Sequence, residues 1–581
     1  MKKLIIIPLL FFCLLSFSQS TWYVSPTGDD SNDGTATDDG HAWKTWGKAF
    51  NSTDVDPGDT VYFRGGTYMK AWGEGDYYHA DGKSYRIDRG GTAGNYVHYF
   101  AYPGEVPILD SDDIVPNTNL NYAIRGGADY TWFKGLTIRN VWSVEGGIGG
   151  SSVEAFGWKA NGNHLIIDNC KFYNTHGIGL QLAGSNETIL VRNCDAWNHC
   201  DSFAISPQLP GNRGSGFTVL VNPTSMTAYY TFAHCRAWDC GDQGFSGGWI
   251  GHTRFDGCWA FNNGQLQGEG HGYKLGWAIV NGTVHDVFNC IAAYNRCDGF
   301  RTNDNGRAYI RGLNIYNNIA YKNGILDNYY GFVIYNTTAS DVLELTRVFK
   351  NNISYDNDYG DLLVTSGASY THSNNTWDIP ITVAGSDFLD LPADNAAGIT
   401  LLSGARQEDG SLLDLGDYFH LDDAQLNGQG ENVGLTYDGD SLYHNIPPDL
   451  GPFAYNAGVP APPEYPQVTT TVTVIGSVRV TATGTDIDDG GGEVSAKGIC
   501  WDTSTNPTTS DNIVPAGSGT DDFSCTLIVP SNTTIYISAY VTNETATTYG
   551  AVISVTTPET SPVLDDSGNI LLDDSDNIII E

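Results

Sequence analysis

The chain has 581 residues, too many for one ordinary globular domain and suited to one large repeat domain with a small one behind it. Its 29 Lys and Arg stand against 67 Asp and Glu, a formal net charge of −38, which repels anionic membranes and excludes nucleic acid as a partner. An anionic substrate is compatible with that balance only where the few basic residues are concentrated, while 69 glycines, 12% aromatics and only 17% charged residues fit a β-rich, turn-rich protein and not a helical bundle.

Residues 1–18 read as a secretory signal: Lys2 and Lys3 form the basic start, Leu4 to Leu15 the apolar run, and Ser16-Phe17-Ser18 the small-residue region. The run is too short to span a bilayer well, and Cys13 lacks the preceding small residue of a lipoprotein cleavage site. The mature chain is expected to be exported, monomeric and not membrane-inserted, starting near Gln19. Next come Trp22 to Val24, an Asp/Gly-rich loop through Gly34, a short amphipathic segment from Trp43 to Phe50, and Thr60 to Tyr68. This is a strand, a loop able to bind calcium or simply to be solvated, a short helix and a second strand.

The middle of the chain repeats. Cys170-Lys171-Phe172-Tyr173-Asn174, Cys194-Asp195-Ala196-Trp197-Asn198, Cys235-Arg236-Ala237-Trp238-Asp239, Cys258-Trp259-Ala260-Phe261-Asn262 and Cys290-Ile291-Ala292-Ala293-Tyr294-Asn295 share one pattern, continued around Tyr321 and Tyr355. Short strands recurring roughly every 20–35 residues mean a solenoid, with equivalent residues about 4.8 Å apart in successive coils. The expected fold is all-β, a right-handed parallel β-helix with a small C-terminal β-sandwich. The five cysteines then form a buried thiol column. Tyr173, Trp197, Trp238, Phe261, Tyr294, Tyr321 and Tyr355 form an aromatic stack, and Asn174, Asn198, Asn262 and Asn295 an amide ladder. Without a Cys-x-x-Cys pair, metal binding by thiols is not indicated; export permits Cys200–Cys240 and Cys500–Cys525 disulfides.

Residues 405–413 and 447–453 are expected to close the helix, giving a domain over 19–459. A Pro-rich linker covers 460–466, and alternating Thr/Val strands over 467–557 predict the β-sandwich. The tail, 558–581, repeats Leu-Asp-Asp-Ser.

Aligned on a Gly-aromatic pair, Gly244-Phe245-Ser246, Gly272-Tyr273-Lys274, Gly299-Phe300-Arg301 and Gly331-Phe332-Val333 fall in register. With the aromatic inward, strand alternation turns Ser246, Lys274 and Arg301 outward as neighbours. Two adjacent cations are unfavourable unless something anionic binds there. Aligned four residues past Trp197, Trp238 and Tyr294, the acids Asp201, Asp242 and Asp298 coincide, a candidate Ca²⁺ column or simply turn residues. His271, Tyr273, Ser246 and Asn303, around the lysine, are candidate substrate contacts.

The run Gly270-His271-Gly272-Tyr273-Lys274-Leu275-Gly276, with Cys297-Asp298-Gly299-Phe300 and Asn317-Asn318-Ile319-Ala320-Tyr321, resembles the catalytic region of family 9 polysaccharide lyases, pectate lyase-like β-helix enzymes, over roughly residues 20–455. The resemblance implies β-elimination on a uronic-acid polysaccharide, with Lys274 as Brønsted base and calcium neutralising the uronate carboxylate. It departs from the family at the calcium cluster, where Asp242-Gln243-Gly244-Phe245-Ser246 keeps one carboxylate of an Asp-Asp-Gly-x-Asp pattern; Asp201 matches a further ligand, and Arg301 stands where it can take over the neutralising role. The C-terminal segment resembles fibronectin type III-like modules. A polygalacturonase-type hydrolase, which needs two close carboxylates, and a non-catalytic carbohydrate-binding β-helix are the competing readings.

Overall fold

The computed structural model describes residues 19–559, apart from 70–83, 113–120, 144–154, 185–187, 203–208, 221–228, 250–251, 279–283, 304–311, 326–327, 336–346, 369, 423–424, 436–437, 440–447, 454–466, 475–477, 489–493, 506 and 544–546. The expected signal (1–18), the linker (460–466) and all but the first two residues of the tail lie outside the described residues. Among the described residues no helix is long and apolar enough to cross a membrane. The chain divides into two compact units near residue 456.

The first unit is a right-handed parallel β-helix of three sheets, the hand expected where parallel strands are joined by crossovers. The first sheet runs from Thr21–Val24 to Thr371–Ser373, the second from Gly66–Met69 to Ile353–Tyr355, the third from Asn121–Arg125 to Gly360–Val364. Seven successive coils pass from first to second sheet through one left-handed residue: Asn169, Asn193, His234, Gly257, Asn289, Asn317 and Asn351, with φ between 49° and 58°. Asn and Gly bear that conformation at least cost, so the residue before each Cys or Asn, Asn in five of the seven, sets the corner. At that corner Cys170, Cys194, Cys235, Cys258 and Cys290 form the buried column, and Cys170 N–H donates to Cys194 Sγ at 3.3 Å. From Cys290 onward the column becomes amides: Cys290 N–H donates to Asn318 Oδ1 (2.9 Å), and Asn318 and Asn352 pass the ladder to Asn375. The ten described cysteines are free, so neither Cys200–Cys240 nor Cys500–Cys525 is bonded. Cys500 Sγ instead donates to backbone carbonyls of Pro507 and Ser538.

Tyr173, Trp197, Trp238 and Phe261 stack at 4.4, 5.0 and 5.4 Å. Tyr294 leaves the strand position: Ala293 pairs with both Phe261 and Tyr321, and Tyr294 takes the left-handed turn position with φ 57°. No residue is inserted here: Ala293 is the counterpart of Phe261, Tyr294 that of Asn262 and Asn295 that of Asn263, so the sequence alignment on Tyr294 is one residue out. Asn295 therefore departs from the outer ladder of Asn174 and Asn198 and joins a buried one, with Asn263, Asn323 and Asn357.

The helix Trp46–Asn51 covers the N-terminal end, capped by Thr45 Oγ1, which accepts from Lys48 N–H at 3.0 Å. Trp46 and Phe50 pack on Phe63, Tyr99 and Phe133. In the Asp-rich loop Asp29 and Asp33 close local turns with Ser31 and Thr35, and Asp30 binds the backbone at Lys44 and Thr45. Residues 405–413 and 448–453 do not close the end of the stack. With the helix Asn395–Leu402, the segment lies along the outer face of the second sheet, burying Leu402, Leu415, Phe419, Leu450 and Phe453 against Trp238, Phe261, Tyr294 and Tyr321. Arg406 and Arg236 both bind the buried Asp195 at 2.8 Å. An apolar outer face must be covered, and this segment covers it.

The second unit holds two antiparallel sheets. One pairs Gln467–Val474, Arg479–Asp488 and Phe523–Ile528; the other is centred on Ala496–Asp502 and Thr534–Thr542. Alternation along Phe523–Ile528 buries every second residue, and Val480, Ile499, Leu527, Ile535 and Ile537 fill its core.

Candidate active site

The third sheet carries the site. Gly244, Gly272, Gly299 and Gly331 each sit where a Cβ would come within 2.3–3.0 Å of neighbouring atoms, so glycine is required for the coils to approach. After each glycine an aromatic turns inward: Phe217, Phe245, Tyr273, Phe300 and Phe332 stack at 5.2, 5.1, 4.7 and 4.9 Å. The next residue turns outward. Thr218 pairs with Ser246, Ser246 with Lys274 and Lys274 with Arg301. The sequence register holds at Ser246, Lys274 and Arg301.

Ser246 and Lys274 face a groove of about 260 Å³ lined also by Gln181, Thr218, Asp242 and Asn303, among others, with Arg301 in the next coil beside it. Asn303 follows the strand Phe300–Thr302, tied by its N–H to the Leu275 carbonyl at 2.6 Å. Tyr273, expected as a substrate contact, is in the core: it is fully buried and its hydroxyl donates to the Cys258 carbonyl at 2.6 Å. His271, the other expected contact, is also buried, 1% exposed, and does not line the groove.

Lys274 Nζ is 2.5 Å from Glu269 Oε2. Glu269 also lies 3.4 Å from His271 Nε2. The hydrogen bond from His271 and the charge of Lys274 hold the Glu269 carboxyl well below the usual carboxylate range. Burial lowers the His271 pKa, and its Nδ1 accepts from Asp298 N–H at 3.2 Å, which leaves the proton of the neutral ring on Nε2, facing Glu269. Arg301 lies 3.2 Å from both Asp298 Oδ2 and His271 Nε2, and its guanidinium carbon stands 4.7 Å from the centre of the Tyr335 ring. Two cations on the outer face are thus each backed by a carboxylate, with one buried imidazole between them.

Glu269 and Tyr335 were not legible as site residues. Glu269 was visible in Gly268-Glu269-Gly270, but it lies before the strand, where alternation says nothing about its direction. Gln181 and Thr218 carried a readable signal: Gly179-Leu180-Gln181 and Gly216-Phe217-Thr218 repeat the glycine, inward apolar, outward polar triad.

Asp201, Asp242 and Asp298 do not fit together as a calcium site. Asp298 Oδ1 accepts from Tyr330 N–H at 3.0 Å and Oδ2 is held by Arg301, so a bound dication would lie against a guanidinium. The slip at Tyr294 puts Asp298 in line with His271 and Gln243, one residue out of step with Asp242. Asp242 is half-buried in the groove beside Lys274; desolvation pushes its carboxyl up, and Arg213 N–H donates to it at 3.1 Å. Turning the Gln243 amide brings its nitrogen 2.7 Å from Asp242 Oδ1. Asp201 is buried, with the Ser143 hydroxyl 3.5 Å from its Oδ1. Among the described residues no three His, Cys, Asp or Glu side chains gather to hold a metal ion.

The family model described as "Pel9A-like, right handed beta helix region" matches residues 22–352. Pectate lyase L of Dickeya chrysanthemi is 26% identical over 455 residues, 75% of this chain and 90% of that protein. Pectate lyase PEL9 of Emericella nidulans is 24% identical over 455 residues, 72% and 94% of the two chains. Among solved structures, pectate lyase Pel9A superposes with a TM-score of 0.55 at 23% identity, covering 76% of this chain and 98% of that one.

Proposed function

The chain belongs to the Pel9A-like right-handed β-helix family, and from that premise we propose that it is an exported polysaccharide lyase cleaving a uronic-acid polymer by β-elimination, with Lys274 as base. The observation that carries this reading is the pairing of Lys274 with Arg301 in adjacent coils of one outer face. Each cation is backed by its own carboxylate.

A uronate carboxylate bound to Arg301 loses much of its negative charge, and the C5–H bond beside it becomes more acidic. The next coil, about 4.8 Å away, presents Lys274. Once its ammonium has given up a proton to solvent, Lys274 takes the C5 proton; the freed electron pair forms the C4–C5 double bond; the C4–O4 bond breaks, and the departing oxygen takes a proton from water. Glu269 holds Nζ in place and is the counter-ion of the ammonium formed. Asp298 fixes the guanidinium, whose preorganised charge is worth most where water is excluded. Ser246, Thr218, Gln181 and Asn303 offer hydroxyls and amides to sugar hydroxyls. The fibronectin type III-like reading of 467–557 makes that unit a spacer.

The test is incubation with polygalacturonate, alginate and rhamnogalacturonan, following the ultraviolet absorbance of an unsaturated uronate, beside Lys274→Ala. General-base removal costs about 10²–10⁴ in rate. Products without the double bond indicate a hydrolase, and undiminished turnover by Lys274→Ala removes the assignment of the base.

A further inference from the structure

The outward column that holds Lys274 and Arg301 extends to the far end of the third sheet. Arg125 pairs with Lys159, Lys159 with Gln181, Gln181 with Thr218, Thr218 with Ser246, and Ser246 with Lys274. The same local pattern produces it: Gly157-Trp158-Lys159 repeats Gly272-Tyr273-Lys274, and Trp158 is buried as Tyr273 is. In a chain with 67 acids and 29 Lys and Arg, this register from Arg125 to Arg301 holds four cations and no acid. The cations lie in two adjacent pairs, separated by the neutral Gln181, Thr218 and Ser246.

On the basis of the lyase reading above, we infer that Arg125 and Lys159 form a distal carboxylate-binding subsite for the same polyuronate chain. At about 4.8 Å per coil, Lys159 lies about 19 Å and Arg125 about 24 Å from Lys274. An extended 1,4-linked uronate chain laid along the helix axis advances by roughly one sugar ring per coil. It therefore meets the second cation pair several residues from the bond being cleaved. The cations are held from beneath: Tyr122 and Phe156 stack at 4.9 Å, the Arg125 guanidinium carbon lies 5.2 Å from the centre of the Tyr122 ring, and Lys159 Nζ 5.9 Å from that of Phe156. Both rings are almost fully buried, so they position the cations and do not themselves stack on sugar. A trisaccharide at Lys274 is too short to reach this subsite, so it acts on long chains only.

The experiment compares the full chain with Arg125→Gln/Lys159→Gln, on the polymer that is turned over and on its trisaccharide. Two partly exposed ion pairs lost predict about a fivefold rise in KM for the polymer at low ionic strength, fading in high salt. kcat is unchanged, and so are both constants on the trisaccharide. An unchanged KM on polymer, or an equal rise on both substrates, overturns the subsite. Binding is read separately by retardation in gels containing polygalacturonate or alginate, with Lys274→Ala as background. Retardation that weakens with the double substitution supports the subsite even if no polymer is cleaved, in which case the lyase reading fails alone. Retardation insensitive to the double substitution, with turnover intact, removes the subsite and leaves the lyase reading standing.

Discussion

Arg301→Gln separates the neutralising charge from the scaffold. Arg301 is 21% exposed and its partner Asp298 only 2%. Removing one member of a fully buried pair costs about 3–5 kcal/mol, because the other charge is stranded. Here Tyr330 N–H still holds Asp298 Oδ1 at 3.0 Å, and the arginine side is partly solvated, so the expected loss is about 2 kcal/mol. Asp298→Asn added to Arg301→Gln removes the stranded charge and returns stability to within about 1 kcal/mol of the parent. Activity behaves differently. A preorganised charge aimed at a developing anion is worth about 10²–10³ in kcat, and neither variant restores it. The assay is urea unfolding beside the rate of unsaturated product formation for parent, single and double variants. Recovery of activity in the double variant would refute the reasoning, since Arg301 would then serve only to neutralise Asp298.

Tyr273→Phe removes a buried hydroxyl that donates to the Cys258 carbonyl; it should cost about 1 kcal/mol in unfolding with kcat/KM within twofold, and a large rise in KM would return Tyr273 to the groove. Burial holds the His199 pKa down to about 3 and lowers His98, His176, His234 and His271 as well. Each folded pKa lies below the unfolded value near 6.5, so their stabilisation is full above that pH and is lost as pH falls, for His199 from 6.5 towards 3. The slope is up to about 1.4 kcal/mol per pH unit for each histidine, and unfolding midpoints at pH 7 and 5 should differ less in His199→Asn than in the parent. With Asp298 committed to Arg301, a calcium chelator should change the rate less than threefold; abolition by chelator and recovery on adding Ca²⁺ would contradict this.

Much of the site was legible because its logic is local. A glycine, an inward aromatic and an outward polar residue recur within each unit, and strand alternation fixes which side chain faces solvent. That placed Ser246, Lys274 and Arg301 side by side without any long-range information. The calcium column failed for a local reason of another kind. Tyr294 was aligned as the counterpart of Phe261, but Ala293 holds that place, and one residue of slip moves an acid to a different column.

The amino-acid sequence by itself determined the coil, its corners and its outward register, since Asn-Cys corners and Gly-aromatic pairs act over a few residues and repeat. The tertiary structure alone decided which carboxylate meets which cation. Glu269 reaches Lys274 from the loop before the strand, Asp298 turns to Arg301 and away from a metal column, and Leu402, Leu415, Phe419, Leu450 and Phe453 pack along the second sheet instead of ending the stack. Those contacts depend on where turns of unequal length deliver their side chains between coils, and no periodicity in the chain encodes that.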